Sequence, residues 1–296
     1  MDGLLLIDKP AGWTSHDAVN FIRRSIKEKR VGHTGTLDPD ATGLLLVLVG
    51  KATRLARYHD DDEKEYVCVM TLGTETDTQD ASGSVIEELP VPELGREDVE
   101  AIFGRFKGEI SQTPPMYSAV KVGGQPLYKL ARKGEEIERQ ARTVVIRELE
   151  IISAEPPEIT FRVVCSKGTY IRTLCSEIGR AMGTRAHMKT LRRTTAGGYP
   201  VAGALDISDK PAGEIISGRV IPVSEMLGHL PEVTVDDEAA AGVKDGRRPA
   251  AHSITATAGH PAEGSPVRVT DASGRLLAVG EYGGPAGEVS LSVVLV

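Results

Sequence analysis

Cysteine is scarce in this chain. Cys68, Cys165 and Cys175 are its three cysteines in 296 residues, and none belongs to a Cys-x-x-Cys unit. Three thiols cannot all pair with one another, so neither a disulfide framework nor a cysteine zinc site is expected. Cys68 and Cys165 lie in apolar, strand-like runs and read as buried core thiols. No run of about 18 apolar residues exists, which excludes a transmembrane helix. The opening, Met1 to Ile7, lacks the basic head of a secretory signal, and Asp8 and Lys9 cut its apolar run short. A cytoplasmic protein without a membrane partner is therefore expected. Phosphate-loop and hydrolase signatures are missing as well. The stretch from Gly43 to Lys51 ends in Gly-Lys, but six apolar residues separate Gly43 from Gly50 where a P-loop has four. Ala52 then follows Lys51 in place of Ser or Thr. No Gly-x-Gly-x-x-Gly opens a helix, and there is no His-Glu-x-x-His or Gly-x-Ser-x-Gly. The seven histidines are scattered, so no metal site is expected.

At 296 residues the chain has room for one large domain and a small one. Its 40% hydrophobic and 26% charged residues are ordinary for a globular protein. The formal net charge of −7 argues against a nucleic-acid partner. The charge is uneven, however. Between Arg162 and Arg193 there are eight Lys/Arg against one acid, Glu177, and between Arg23 and Arg30 five against Glu28. Acids gather elsewhere, in residues 60–63 and 236–238. Screening confines each exposed charge to within about 8–10 Å, so a local basic face can still grip a phosphate backbone.

Residues 3–7 read as a short buried strand, followed by a turn to Trp13. Thr14 or Ser15 can cap a helix over 17–29, with Val19, Ile22 and Ile26 on one face. A polar loop from Gly32 to Gly43 follows, then a strand over 44–49 apolar enough to be buried on both faces. Further strands are expected over 66–72, 144–152 and 159–164, and helices over 98–106 and 127–132. Prolines keep 113–117 extended. A helix over 169–182 buries Ile171, Leu174, Cys175 and Ile178. Past Leu227 glycine and proline become frequent. Short strands over 267–270, 276–279 and 289–296, two of them joined by a turn at Asp271 to Gly274, suggest a separate small β domain.

The loop from Gly32 to Gly43 packs three glycines, a histidine and two acids into a polar segment anchored by a buried strand. Reactive side chains tend to sit on such loops. Taken alone, Asp38-Pro39 reads more readily as the start of a turn than as chemistry. A catalytic Asp38 would have to be ionised in a cleft, which needs a nearby cation. Lys167 and Arg172 lie close to the start of the expected helix over 169–182, where the helix dipole disfavours cations, so a carboxylate or phosphate partner is one explanation and solvation the other. Tyr66, taken alone, reads as a sheet or core aromatic.

Together these segments resemble the TruB type of tRNA pseudouridine synthase. Five blocks match in order: Leu5 to Ser15; Gly32 to Gly43; Lys64 to Tyr66 with Thr76 to Asp80 behind it; Pro114 to Lys121; and Cys165 to Arg172. Leu191-Arg-Arg193 comes next in the same order, and the likeness runs from about Leu4 to Leu227. The implied fold is α+β, a mixed and largely antiparallel sheet with flanking helices. It is assigned to residues 1–227, with a small β-barrel-like, PUA-like RNA-binding domain over 228–296. The implied activity is that of a tRNA pseudouridine-55 synthase, which isomerises one uridine of the T stem-loop with no metal or organic cofactor. By the same resemblance Asp38 is the nucleophile and Arg172 its ion-pair partner. Tyr66 stacks on the target base and is a candidate for proton transfer. His33 fills the space of the extruded base, Tyr170 and Leu191 line the uridine pocket, and Lys9 and Lys167 join them in binding substrate. Such a protein is expected to act as a monomer without a protein partner, and the basic stretch between Arg162 and Arg193 is expected to contact phosphates. Two alternatives remain: an RNA-binding or tRNA-folding module with secondary chemistry, and a relative that works in a guide-RNA complex. The early start of the first strand favours the stand-alone enzyme over the latter. Two features depart from the pattern. The acidic run over 60–63 precedes Tyr66 and is expected to point away from RNA. From Gly228 on there are five Lys/Arg against nine acids, which weakens the grip expected of the end domain.

Overall fold

The computed structural model describes residues 1–59, 63–118, 120–283 and 287–296. In chain order its first elements are β1 Gly3–Lys9, α1 Ser15–Ser25, β2 Val31–Thr34, β3 Thr42–Val49, a 3-10 helix Gly50–Tyr58 and β4 Lys64–Leu72. There follow β5 Thr74–Thr76, β6 Val85–Glu88, α2 Arg96–Gly104, β7 Gly108–Gln112, β8 Lys121–Val122, β9 Gln125–Pro126 and α3 Leu127–Ala131. Then come β10 Arg142–Glu155, β11 Glu158–Cys165, α4 Ile171–Ala181 and β12 Ala186–Ala196. Short pieces, β13 Tyr199–Pro200, β14 Leu205–Asp206, α5 Gly213–Ser217, β15 Ile221–Pro222 and α6 Val223–Met226, lead out of this part. The last are β16 Glu232–Val235, α7 Asp237–Lys244, β17 Ile254–Ala258, β18 Pro266–Thr270, β19 Leu276–Tyr282 and β20 Val289–Val294.

The first part is built on one sheet in the order β14-β1-β3-β12-β4-β11-β10-β7, with β2 and β15 added beside β3 and β1. Among the described residues, only β1–β14 and β3–β12 run parallel within it. The α+β class with a mixed, largely antiparallel sheet is therefore what the chain adopts. β3 is buried on both faces, as its unbroken apolar run requires. Leu45, Val47 and Val49 face one core with α1 and α4, while Leu44, Leu46 and Leu48 face a second core. That second core includes Val279 and Val293 and so joins the sheet to the end domain. The end domain is a separate five-stranded sheet, β17-β16-β18-β19-β20. Its hairpin turn forms as expected, with Asp271 Oδ1 accepting from the N–H groups of Ser273 and Arg275. No helix among the described residues is long and apolar enough to cross a membrane. All three cysteines are buried.

Three local expectations need correction. α1 starts at Ser15 and stops at Ser25, short of the expected 29. Thr14 and Asp17 form a reciprocal capping box at its start, and Lys27 takes a left-handed φ of 55° just past its end. The loop from Gly32 to Gly43 begins as strand, because β2 pairs with β3 from Val31 to Thr34 and carries His33. β12 was not expected as a strand at all. Two bulges, between Met188 and Thr190 and between Arg193 and Thr195, break its pairing with β4. Its buried residues are consequently Ala186, Met188, Leu191, Arg193 and Ala196, a spacing that never settles into period two.

Candidate active site

Asp38 sits on the turn between β2 and β3, and the neighbouring residues are pinned on both sides. On one side the buried hydroxyl of Ser15 accepts from Leu37 N–H at 2.9 Å and donates to Leu37 C=O at 3.1 Å. On the other, Lys9 Nζ donates to Pro39 C=O at 2.9 Å, and also to Pro10 C=O at 2.9 Å and Trp13 C=O at 2.6 Å. Arg193 Nη2 donates to Gly35 C=O at 3.0 Å from below. Gly43 closes the turn at φ +99°, against Arg193, where a Cβ would lie 2.2 Å from the Arg193 carbonyl oxygen. Only glycine fits there.

Arg172 reaches Asp38 from the first turn of α4. Its Nε lies 2.9 Å from Asp38 Oδ2 and its Nη2 donates to Oδ1 at 3.2 Å, a two-pronged pair. The same guanidinium donates to Thr78 C=O at 3.0 Å and Tyr117 C=O at 2.9 Å, and stands 3.5 Å from the Asp80 carboxylate. Arg172 is 4% exposed, so its direction is fixed by these partners. The turn that carries Thr78 and Asp80 is itself held tightly. Gln79 takes a left-handed φ of 63°, with its side-chain carbonyl accepting from Thr173 Oγ1 at 2.8 Å. Burial in the protein raises the Asp38 pKa above the usual carboxylate range; Arg172 opposes that rise and Asp80 adds to it. Water still reaches 35% of the Asp38 side chain, so the carboxylate is desolvated at its back and open in front.

A cleft of about 910 Å³ lies in front of Asp38. Of the residues expected at the site, His33, Tyr170, Arg172 and Leu191 line it together with Asp38. Among the described residues His33 Nδ1 has no partner, and burial lowers the ring's pKa, so the imidazole is neutral near pH 7. Tyr170 caps α4 and is gripped by Gln112, whose Oε1 accepts from Tyr170 N–H at 2.7 Å while its Nε2 donates to Tyr170 C=O at 3.1 Å. Tyr66 lies deeper, 7% exposed in β4 and in the core. Burial raises its pKa and Arg193, its cross-strand neighbour, opposes the rise. Lys167 stands exposed in the turn before α4.

Two expectations fail on placement. Lys9 is fully buried and holds three backbone carbonyls, so it serves the loop and is not open to substrate. Burial lowers its pKa to about 8, with the charges of Asp40 and Asp38 opposing the shift. The basic stretch between Arg162 and Arg193 is mostly neutralised by acids from other strands. Arg162 pairs with Glu65, Glu148 and Glu150; Arg180 with Glu75; Arg185 with Glu75 and Glu87; Lys189 with Glu158; and Arg192 with Asp8. Arg193 is buried on the carbonyls of Leu44 and Gly35. The acidic run over 60–63 lies outside the described residues except for Glu63, which pairs with Arg147.

Residues 23–171 match the sequence profile described as "TruB family pseudouridylate synthase (N terminal domain)", and residues 172–209 that of the "tRNA pseudouridylate synthase B C-terminal domain". The chain belongs to the TruB family of pseudouridylate synthases. Among its relatives, the tRNA pseudouridine synthase B of Symbiobacterium thermophilum is 47% identical, over 84% of this chain and 84% of that one. The enzyme of the same name from Burkholderia mallei is 44% identical over 94% and 92%. A solved structure described as a Cbf5-Nop10-Gar1 complex superposes at a TM-score of 0.75 with 28% identity, covering 99% of this chain and 84% of that chain. TruB-family enzymes are isomerases acting on uridine in RNA.

Within this TruB-family site, Asp80, Thr78, Tyr117 and Gln112 are not legible as site residues from the sequence, and Ser15 reads there only as a candidate helix cap. Thr78, Asp80, Tyr117 and Ser15 lie inside matched blocks, a signal of place without one of role at the site. Gln112 carried no signal, because its partner is a backbone 58 residues away.

Proposed function

We propose that this protein isomerises the T-loop uridine of tRNA, position 55, to pseudouridine, with Asp38 as nucleophile. The observation that carries this reading is the two-pronged Arg172–Asp38 pair at the back of an open cleft, on a turn pinned at Leu37 and Pro39. Such a carboxylate is aimed before substrate arrives, which removes an orientation cost from the reaction. The relatives of about 45% identity carry the name tRNA pseudouridine synthase B, which supports tRNA as the substrate class.

The target base must leave its stack, at a cost of a few kcal/mol. A neutral, planar His33 can take over the lost stacking, and Tyr170 and Leu191 offer the flipped base an apolar seat. Asp38 then forms the transient bond to the nucleoside. The N1–C1′ bond breaks, the uracil turns, a C5–C1′ bond forms, and the bond to Asp38 is broken to release the free carboxylate. The C5 proton is lost and N1 takes up a proton; Tyr66 is the candidate for this transfer, its neutral hydroxyl giving its proton to N1 as it receives the one from C5. Substrate and product have the same atoms and the same oxidation level, so the sequence of steps balances without a redox partner. Residues 1–227 would carry this chemistry, and residues 228–296 would form a PUA-like RNA-binding domain. The protein would act alone on bare tRNA.

The test is to incubate the protein with an unmodified tRNA transcript, without guide RNA or other protein, and map pseudouridine. Product at the T-loop uridine alone is expected. No product on bare tRNA would sink the proposal, and product only after guide RNA is added would favour the guide-dependent reading.

A further inference from the structure

We propose that the groove beside α1 is a second RNA-binding surface, which takes the phosphate backbone next to the nucleotides held in the cleft. The inference rests on the proposed action on tRNA and deepens it.

The groove has a volume of about 630 Å³. On its floor Trp13 and Phe21 meet edge to face with centroids 5.7 Å apart. Its walls carry Arg23, Arg24 and Lys210. Arg23 is a fixed wall, donating to Asn20 Oδ1 at 2.6 Å and to Val31 C=O at 3.0 Å. Arg24 and Lys210 are exposed, as are Lys27, Lys29 and Arg30 just beyond the helix. Among the described residues this group of six cations makes one ion pair, the long 3.9 Å contact of Arg30 with Glu28. Asp17, the acid in the groove, has its carboxylate committed to the helix cap, where it accepts from Thr14 N–H and Oγ1.

The contrast with the stretch from Arg162 to Arg193 decides the assignment. There, six of the eight cations face carboxylates, and Arg193 is buried on carbonyls. In a molecule of net charge −7, RNA contact depends on where positive charge is left unneutralised. The α1 side supplies that charge, and it is continuous with the catalytic cleft. Trp13 lines the groove, while Thr14, Ser15 and His16 line the cleft. The 11 residues of α1 carry the surface about 16 Å from that edge. A strand leaving the cleft along the helix passes Arg24 and Lys210, and the partly open Trp13 ring offers a sugar or base an apolar contact.

The test uses the full chain and the double variant Arg24→Glu with Lys210→Glu, with Arg24→Gln and Lys210→Gln as a milder second pair. Affinity for unmodified tRNA is measured from 50 to 200 mM salt, together with the rate of product formation at saturating tRNA. The charge-reversed variant should bind at least about tenfold more weakly. Its dependence of log affinity on log salt should fall by about two, one for each lost phosphate contact. The saturating rate should stay within about twofold of wild type, because neither residue faces the cleft. Affinity and salt slope equal to those of wild type would overturn the proposal, as would a variant that binds normally but turns over slowly. Absence of product from the wild-type protein would count against the activity; the groove is judged on binding alone.

Discussion

Removing the Ser15 hydroxyl tests how the Asp38 turn is held. The hydroxyl makes two hydrogen bonds, both to the backbone of Leu37, in a place where Ser15 is 2% and Leu37 3% exposed. Ser15→Ala leaves a buried N–H and a buried C=O without partners. Each such group costs about 1–3 kcal/mol, so a total of roughly 2–6 kcal/mol is expected. For a chain of this size that lowers Tm by on the order of 10 °C. The turn can recover part of this cost by shifting so that Leu37 meets water, which carries Asp38 away from Arg172. Misplacement on that scale costs about 10²-fold in rate. The assay pairs a thermal melt with kcat and KM on unmodified tRNA. A lower Tm with kcat reduced tenfold or more and KM little changed is expected. A lower Tm with kcat within twofold of wild type would refute the idea that Ser15 aims the carboxylate.

The Asp38 pKa, raised by burial, fixes two pH effects. With Asp38 as the proposed nucleophile the ionised form is the reactive one, so activity should fall on acidification through a pKa above the ordinary value of about 3.9, which a pH–rate profile reads directly. The stability linkage has the opposite sense: folding favours protonated Asp38, so that stabilisation is present at acid pH and lost as pH rises through the folded-state pKa. Asp38→Asn should therefore gain Tm relative to wild type on going from pH 4 to pH 7, as differential scanning calorimetry would show. Gly43→Ala places a Cβ 2.2 Å from the Arg193 carbonyl oxygen at φ +99° and should cost more than about 3 kcal/mol, seen as loss of the cooperative melt. Gln112→Met removes both clamps on the Tyr170 backbone and should lower kcat/KM for tRNA by about tenfold or more, with rescue by neither salt nor higher pH.

What could be read from the chain follows where local pattern and tertiary setting agree. The strand over 44–49 and the helix burying Ile171, Leu174, Cys175 and Ile178 were legible because one apolar period runs through each without interruption. β12 was not, because its two bulges reset the alternation and its buried set includes an arginine. The charge count between Arg162 and Arg193 misled for a different reason. The acids that neutralise it, Asp8, Glu65, Glu75, Glu87, Glu148, Glu150 and Glu158, come from other strands, beyond the reach of any local window. Lys9 shows the same limit: a lysine in a matched block reads as a substrate-binding residue until three carbonyls are found around its ammonium group. The Asp38–Arg172 meeting spans 134 residues and was legible through family resemblance, since neither loop nor helix announces the other.

The central claim is that Asp38 performs the chemistry and does not merely shape its turn. The most direct measurement is pseudouridine mapping on one unmodified tRNA transcript after incubation with wild-type protein and with Asp38→Asn, alongside the affinity of each for that tRNA. The account predicts T-loop pseudouridine from wild type. From Asp38→Asn it predicts none, a loss of at least about 10³-fold in rate, with affinity within about threefold. Product from Asp38→Asn at a rate within tenfold of wild type would contradict it.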